Sequence, residues 1–121
     1  MSEKELNRKY KSMLLLNAKE GYDGRGKGVD VYTCDKCGKQ IFTRYKDKGV
    51  TPFTIACRDK GCCGTMMHRT TIHESEATER NATVINWVRP SLEWVNKQRK
   101  KGRDGLVEHI LQGGLMMDNE I

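Results

Sequence analysis

The sequence predicts an α+β fold: a small antiparallel sheet of three to four strands, with an N-terminal helix and two short C-terminal helices. Three observations predict it. Cysteines occur in two clusters, alternating apolar and polar segments lead into each cluster, and apolar residues recur at helical spacing near both ends. With 121 residues, 36% of them hydrophobic, and a mean hydropathy of −0.74, the chain has little material for a large core. We therefore expect a single domain that a bound metal helps to hold together.

The five cysteines define the centre of the predicted fold. Cys34 and Cys37 form the first cluster, and Cys57, Cys62 and Cys63 form the second. Two clusters separated by roughly 15 to 20 residues are typical of a four-thiolate zinc site, in which each turn supplies one edge of a tetrahedron. We predict a zinc ribbon whose metal is held by Cys34, Cys37, Cys57 and Cys62. Cys63 is the alternative fourth ligand, and iron could occupy the same thiolates.

Strands are expected on both sides of each cluster, because β-branched and aromatic residues alternate there with polar ones. The first strand leads to Cys34, and the third leads to Cys57. A further strand precedes Arg89 and Pro90, which end it. The polar stretch 74–82 is interpreted as a connector or a solvated turn. The predicted strands cover residues 29–33, 40–45, 52–56, 65–72 and 82–88.

Helices are predicted where apolar residues recur every three or four positions. The first covers residues 3–19, after a capping box formed by Ser2 and Glu5. Ser91 is a suitable N-cap for a helix over 92–101, and a last helix covers 104–112. The tail either frays or docks onto a partner. Within one domain of residues 1–121, this places the N-terminal helix in 2–20, the ribbon and following strand in 29–89, the C-terminal helices in 91–113 and the tail in 114–121.

Four glycines alternate with charged residues between residues 21 and 28, after the first helix. Gly21 is expected to end that helix, and the stretch is interpreted mainly as a linker. It lacks the spacing of a nucleotide-binding loop. A contact with single-stranded nucleic acid through Tyr22, Arg25 and Lys27 is the side hypothesis.

Charge favours a phosphate-bearing partner. The net charge is +6, the isoelectric point is near 9.1, and the excess of basic residues falls within residues 1–60. Aromatic residues that could stack on bases, Phe42, Tyr45 and Phe53, lie among these cations. We predict nucleic-acid contacts by Lys36, Lys39, Arg44, Lys46, Lys48 and Arg58.

No signal peptide or membrane-spanning segment is expected, since the longest fully apolar run is residues 13–16. The sequence thus predicts a soluble, cytoplasmic protein with reduced thiols and no membrane partner.

The segments Cys34-Asp-Lys-Cys37-Gly38 and Phe53-Thr-Ile-Ala-Cys57-Arg-Asp-Lys-Gly-Cys62-Cys63-Gly64-Thr65 resemble the four-cysteine zinc ribbons at the C-terminal end of bacterial type I topoisomerases. The chain is also similar to small uncharacterised bacteriophage zinc-ribbon proteins, in which a segment like Trp87-Val-Arg89-Pro90-Ser91 follows the ribbon. The resemblance covers roughly residues 30 to 95 and implies that Cys62 is the ligand. Every catalytic domain of a topoisomerase is missing, so no strand-cutting activity is implied.

Catalysis is not indicated by any pattern of residues. His68 and His73 lack the spacing of a helical metal pair, and Cys34 and Cys37 lack the βαβ context of a redox dithiol. A zinc ion with four thiolate ligands has no open position. We predict a non-enzymatic, phage-like zinc-ribbon module that binds nucleic acid as single strands or through the backbone. The alternative is a protein-binding adaptor, or an inhibitor of a host enzyme, that uses its helical surfaces.

Overall fold

The computed structural model describes residues 1–19, 28–57, 59 and 61–121, with residues 16–19 described by their backbone alone. The predicted linker contacts of Tyr22, Arg25 and Lys27, and the helix end at Gly21, lie outside these residues. The helices are α1 (Glu3–Lys19), α2 (Glu74–Glu79), α3 (Leu92–Lys100) and α4 (Asp104–Leu111), and a 3₁₀ turn covers Asp118–Glu120. The strands are β1 (Gly28–Cys34), β2 (Gln40–Tyr45), β3 (Thr54–Ala56), β4 (Thr65–His73), β5 (Val84–Val88) and β6 (Met116–Met117).

The predicted fold class is wrong about the sheet. The described strands form one six-stranded mixed sheet in the order β3-β4-β1-β2-β5-β6, rather than an antiparallel ribbon of three to four strands. The β3–β4, β4–β1 and β1–β2 ladders around the cysteines are antiparallel. The sheet continues because β5 lies beside β2, and because Trp87 and Val88 of β5 pair with Met117 and Met116 of β6.

Contacts between residues group the described chain into two compact units. We call the described residues of Arg25–Tyr45 and Pro52–Asn86 the cysteine unit, and those of Met1–Gly24, Lys46–Thr51 and Trp87–Ile121 the helical unit. The organisation into one domain stays a prediction.

Strand β1 is the centre of the cysteine unit, since it pairs with β4 on one side and β2 on the other. Its buried residues are Val29 and Val31 on one face and Tyr32 and Cys34 on the other. A β-bulge shifts the β1–β4 register between Val31 and Tyr32. Helix α2 packs near this strand and buries Ala77. Strand β1 is therefore held on both faces as it delivers Cys34 to the end of the sheet.

Three helices form the core of the helical unit. Helix α1 contacts α3 and α4, and the fully or nearly buried residues are Leu6, Tyr10, Met13, Val95, Val107 and Ile110. The amide of Glu5 donates to Ser2 Oγ at 3.1 Å, and that of Trp94 donates to Ser91 Oγ at 3.2 Å. Both are side-chain caps of the kind that the sequence predicts. The apolar stripe of α1 is consequently buried within its own unit.

The tail does not fray at its apolar positions: Leu115 and Met117 are each 1% exposed. The amide of Leu115 donates to the carbonyl of Val50, and the amide of Val50 donates to the carbonyl of Gly113. The pairing of β6 thus holds the tail in place, whereas the sequence alone allowed either fraying or docking onto a partner. In the described part of the chain, no helix has the length and apolar character that crossing a bilayer requires.

Candidate metal centre

The cysteines occupy two turns at the same end of the sheet. Cys34 is the last residue of β1, and Cys37 lies in the turn that leads to β2. Cys57 directly follows β3, and Cys62 shortly precedes β4. Since β1 and β4 are antiparallel neighbours, the end of β1 lies beside the start of β4. Sheet pairing therefore brings the two turns together.

The Sγ atoms of Cys34, Cys37, Cys57 and Cys62 all lie within 4.8 Å of one another. The Cys34–Cys62 distance is 3.7 Å, and the Cys37–Cys57 distance is 3.6 Å. Zinc–sulfur bonds of about 2.3 Å in a tetrahedron place sulfur atoms about 3.8 Å apart. These four cysteines could hold a metal ion.

Backbone amides donate hydrogen bonds to the sulfur atoms. The amide two residues after Cys34, Cys57 and Cys62 lies 3.4 Å from the sulfur in each case. The amide of Cys37 is a second donor to Cys34, at 3.5 Å. Each bond favours the thiolate over the thiol, which is the form that binds metal.

These donors act most strongly on Cys34. The backbone N–H of Cys37, followed by that of Lys36, lowers the pKa of the Cys34 thiol to about 6. This lowered pKa favours the thiolate of Cys34, the form that binds metal, near neutral pH.

Burial and neighbouring thiols raise the pKa of two other thiols of the cluster, Cys57 and Cys62. The amide of Asp59 lowers the pKa of Cys57, but desolvation and the neighbouring thiols together raise it to about 12. The amide of Gly64 likewise lowers the pKa of Cys62, and here too desolvation and neighbouring thiols produce a net rise. A divalent cation would offset this repulsion and displace the protons.

Asp35 and Thr65 form hydrogen bonds that join the two turns, and the spacing of the cysteines does not predict these bonds. The amide of Asp35 donates to the carbonyl of Thr65 at 3.0 Å, and the amide of Thr65 donates back to Asp35 Oδ1 at 2.9 Å. Gly64 passes so close that a Cβ there would lie 2.6 Å from Cys34 Sγ. The one feature of the sequence that could have indicated this close approach is Gly64, the glycine directly after the second cysteine cluster.

Cys63 lies outside the cluster. Its side chain is exposed, and its Sγ lies 3.2 Å from Lys36 Nζ. Gly61, with φ +86°, permits the turn that directs Cys62 and not Cys63 to the other sulfur atoms. The structure thus groups the four cysteines that the sequence favoured, while their role as ligands stays a prediction.

Three of the predicted nucleic-acid contacts belong to the cysteine unit, and each has an intramolecular partner. Lys36 contacts the exposed thiol described above. Lys39 Nζ lies 3.8 Å from Asp59 Oδ1, and Arg44 Nη1 lies 3.8 Å from Glu74 Oε2. The side chains of these two ion pairs are 43 to 53% exposed, so each pair contributes little to stability.

The other three predicted contacts lie elsewhere. Lys46 and Lys48 belong to the helical unit. The carbonyl of Lys48 accepts a hydrogen bond from Arg89 Nη2 at 2.6 Å. Arg58 lies outside the described residues. The structure therefore does not assemble the six cations into one described cluster.

The aromatic residues differ in their exposure. Phe53 is 62% exposed, whereas Phe42 and Tyr45 are half-buried. Alternation along β2 places Phe42 and Arg44 on the same face of the strand and Tyr45 on the other.

No protein-family model, curated protein or solved structure matches the chain. The four close cysteines are compatible with the resemblance to zinc ribbons, which otherwise stays a prediction.

Proposed function

We propose that this protein is a zinc-binding, non-enzymatic module in which one metal ion ties two turns of a sheet together. The observation that carries the proposal is the spacing of four sulfur atoms, which all lie within 4.8 Å of one another and include two pairs 3.6 and 3.7 Å apart. That spacing is close to the edge of a zinc tetrathiolate, about 3.8 Å. Zinc suits these ligands because thiolates are soft donors.

A structural role follows from the number of donors. Four thiolates fill a tetrahedral zinc ion, which leaves no position at which water or a substrate could be activated. The amides that donate to sulfur, and the Asp35–Thr65 pair between the turns, act as the outer shell that orients the ligands. The binding energy of such an ion contributes to folding.

Metal analysis of the protein purified under reducing conditions tests this proposal. We expect one equivalent of zinc per chain. Cys62→Ser should lose the metal because it removes one sulfur of the cluster. Cys63→Ser is the matched control and should keep it, since Cys63 contacts Lys36 instead. Iron in place of zinc, which visible absorption would reveal, or equal retention by both variants, would overturn the assignment.

Single-stranded nucleic acid is the second candidate, as a ligand of the same module. It is favoured by one observation: Phe42 and Arg44 share a face of β2, and Lys39 immediately precedes that strand. An aromatic ring with a cation on the same strand face is an arrangement that can stack on a base and contact the backbone. A zinc tetrathiolate carries a charge of about −2, so phosphates should approach the strand face rather than the turns.

A titration with labelled single-stranded DNA at two salt concentrations tests the second candidate. We expect affinity to fall steeply as salt increases, and Arg44→Gln to reduce the salt slope by about one. Arg80→Gln is the matched control, because Arg80 also pairs with an acid of α2 and is similarly exposed. Absence of binding at low salt, or equal losses in both variants, would reject this surface.

A protein-binding adaptor has less support. Of the helical surfaces that an adaptor would use, the α1 residues Leu6, Tyr10 and Met13 are buried in the core of the helical unit. Leu15 alone among the large apolar residues of the described α1 side chains stays well exposed, at 65%. One such residue is ordinary on a protein surface.

A further inference from the structure

We propose that the same four thiols form two disulfides when they are oxidised, Cys34–Cys62 and Cys37–Cys57, and that these bonds then link the two turns in place of the metal. The inference rests on the proposed function, because it concerns the thiols assigned there to zinc. It makes the centre a modification site whose pairing the structure specifies.

Two close sulfur–sulfur contacts indicate the pairing. Cys34 Sγ lies 3.7 Å from Cys62 Sγ, and Cys37 Sγ lies 3.6 Å from Cys57 Sγ, in a cluster whose four sulfur atoms all lie within 4.8 Å of one another. Closing either pair to a bond of about 2.05 Å requires a movement of only about 1.6 Å. Each pair takes one sulfur from each turn, so the two bonds use all four thiols.

Backbone contacts between the turns support the same pairing. The Asp35–Thr65 hydrogen bonds join the first turn to the start of β4 at 2.9 and 3.0 Å. Gly64 allows Cys34 Sγ to approach this backbone, since a Cβ there would lie 2.6 Å from the sulfur. The turns are therefore close to each other through contacts that do not depend on the metal.

Cys63 should not take part. Its Sγ contacts Lys36 Nζ, 3.2 Å away, rather than the cluster. A bond to its neighbour Cys62 is disfavoured, because adjacent Cα atoms are about 3.8 Å apart and disulfides usually need about 4.4 to 6.8 Å. One thiol should remain reduced after the other four have reacted.

Hydrogen peroxide is a sufficient oxidant, and within the four-cysteine cluster Cys37 is the exposed thiol at which the reaction can start. Its thiolate attacks peroxide, forming a sulfenic acid and releasing hydroxide, which takes a proton and becomes water. Cys57 then attacks that sulfur and a second water leaves, so one peroxide is consumed per disulfide. The second pair reacts in the same way. From a zinc-bound state, the protons come from solvent and the zinc ion is released.

Disulfide mapping by mass spectrometry tests the pairing on the full chain. The reduced protein is treated with peroxide, remaining thiols are alkylated, and linked peptides are identified. We expect Cys34–Cys62 and Cys37–Cys57 linkages with Cys63 alkylated, and release of any bound zinc to a colorimetric chelator. A Cys34–Cys37 bond, a bond to Cys63, linkage between chains, or five alkylated cysteines would overturn the proposal.

Variants keep the pairing testable if one of them folds poorly. Cys62→Ser should form only Cys37–Cys57, Cys37→Ser should form only Cys34–Cys62, and Cys63→Ser should match the parent protein. Zinc content of the reduced protein, measured beforehand, separates the two proposals. Predicted pairing in a protein that binds no zinc contradicts only the proposed function, whereas bound zinc with another pairing contradicts only this inference.

Discussion

A Cβ atom added at Gly64 would disturb the candidate metal centre directly. A Cβ at this position would lie 2.6 Å from Cys34 Sγ and 3.0 Å from Asp35 Oδ1. Both atoms belong to the first turn, which the Asp35–Thr65 pair holds in place. Glycine is thus required here for close approach, and not for an unusual φ angle.

Gly64→Ala should therefore weaken zinc binding. To admit the methyl group, the backbone must shift by a distance comparable to a bond length, at a cost of about 1–3 kcal/mol. Competition with a chelator measures the affinity, and Gly105→Ala is the control because a Cβ there meets nothing within 4 Å. Affinity equal to that of the parent protein would contradict the role assigned to Gly64.

The side-chain contacts of Asp30 could not be predicted from the sequence. Its carboxylate accepts hydrogen bonds from Thr71 Oγ1 at 2.7 Å, and it lies 3.2 Å from His68 Nε2. The His68 ring packs edge-on against Tyr32, with centroids 5.7 Å apart. Alternation along β1 puts Asp30 on the same face as Tyr32, but the partners of Asp30 follow from the β1–β4 register, which spacing along the chain does not encode.

At the scale of elements, the order and approximate bounds of α1, α3, α4 and β1 to β5 followed from the sequence, because each has its own periodicity or cap. Helix α2 did not: it buries only Ala77, and its N-cap is His73 rather than a common capping residue. Strand β6 has two residues, too few for any pattern. The six-stranded order depends on long-range pairing, which local sequence does not specify.

The four-cysteine cluster was the most predictable part of the site, because its geometry depends on two tight turns with recognisable spacing. The hydrogen bonds between its two turns were not predictable. Asp35 and Thr65 are thirty positions apart and meet only because β1 and β4 are neighbours. The dispersed placement of the predicted basic contacts has the same cause, since charge counts along a chain do not give positions in space.

A buried hydrogen bond from Tyr10 Oη to the carbonyl of Pro90, at 2.6 Å, helps to anchor helix α1. Pro90 lies just before the cap of α3, so the bond joins two elements of the helical unit. Burial raises the pKa of Tyr10 above 10.0, although the nearby Arg89 opposes the rise. Burial of Tyr10 therefore makes stability depend on pH in the alkaline range.

Tyr10→Phe should lower the free energy of unfolding by about 1 kcal/mol at neutral pH, because the carbonyl loses its donor. Above pH 10 the unfolded chain loses the tyrosine proton before the folded chain does, so the parent protein loses stability there and the variant lacks this contribution. The difference should shrink as pH rises. Urea unfolding from about pH 8 to about pH 11 measures it, and a constant difference would contradict the burial effect.

At the scale of the whole molecule, the chain contains two compact units with different means of support. The helical unit has an apolar core drawn from α1, α3 and α4. The candidate metal centre lies wholly within the cysteine unit, at the end of β1 and the start of β4. Removing the metal should therefore act on one unit much more than on the other.

Hydrogen exchange with and without a strong chelator, under reducing conditions, tests this expectation. The amides of Cys34 and Cys57, which donate to the carbonyls of Lys39 and Gly64, should exchange on the order of tenfold faster or more once the metal is removed. The amide of Val95, which donates to the carbonyl of Ser91 in the helical unit, should change little.

Comparing the exchange of the Cys34 and Cys57 amides with that of the Val95 amide distinguishes three outcomes. If the turn amides keep their protection in chelator, sheet pairing and the Asp35–Thr65 bonds suffice by themselves, and the metal has no structural role. If the amide of Val95 loses protection together with the turn amides, the two units unfold as one. Only selective loss at the turns agrees with a metal that supplies local stability to the two turns.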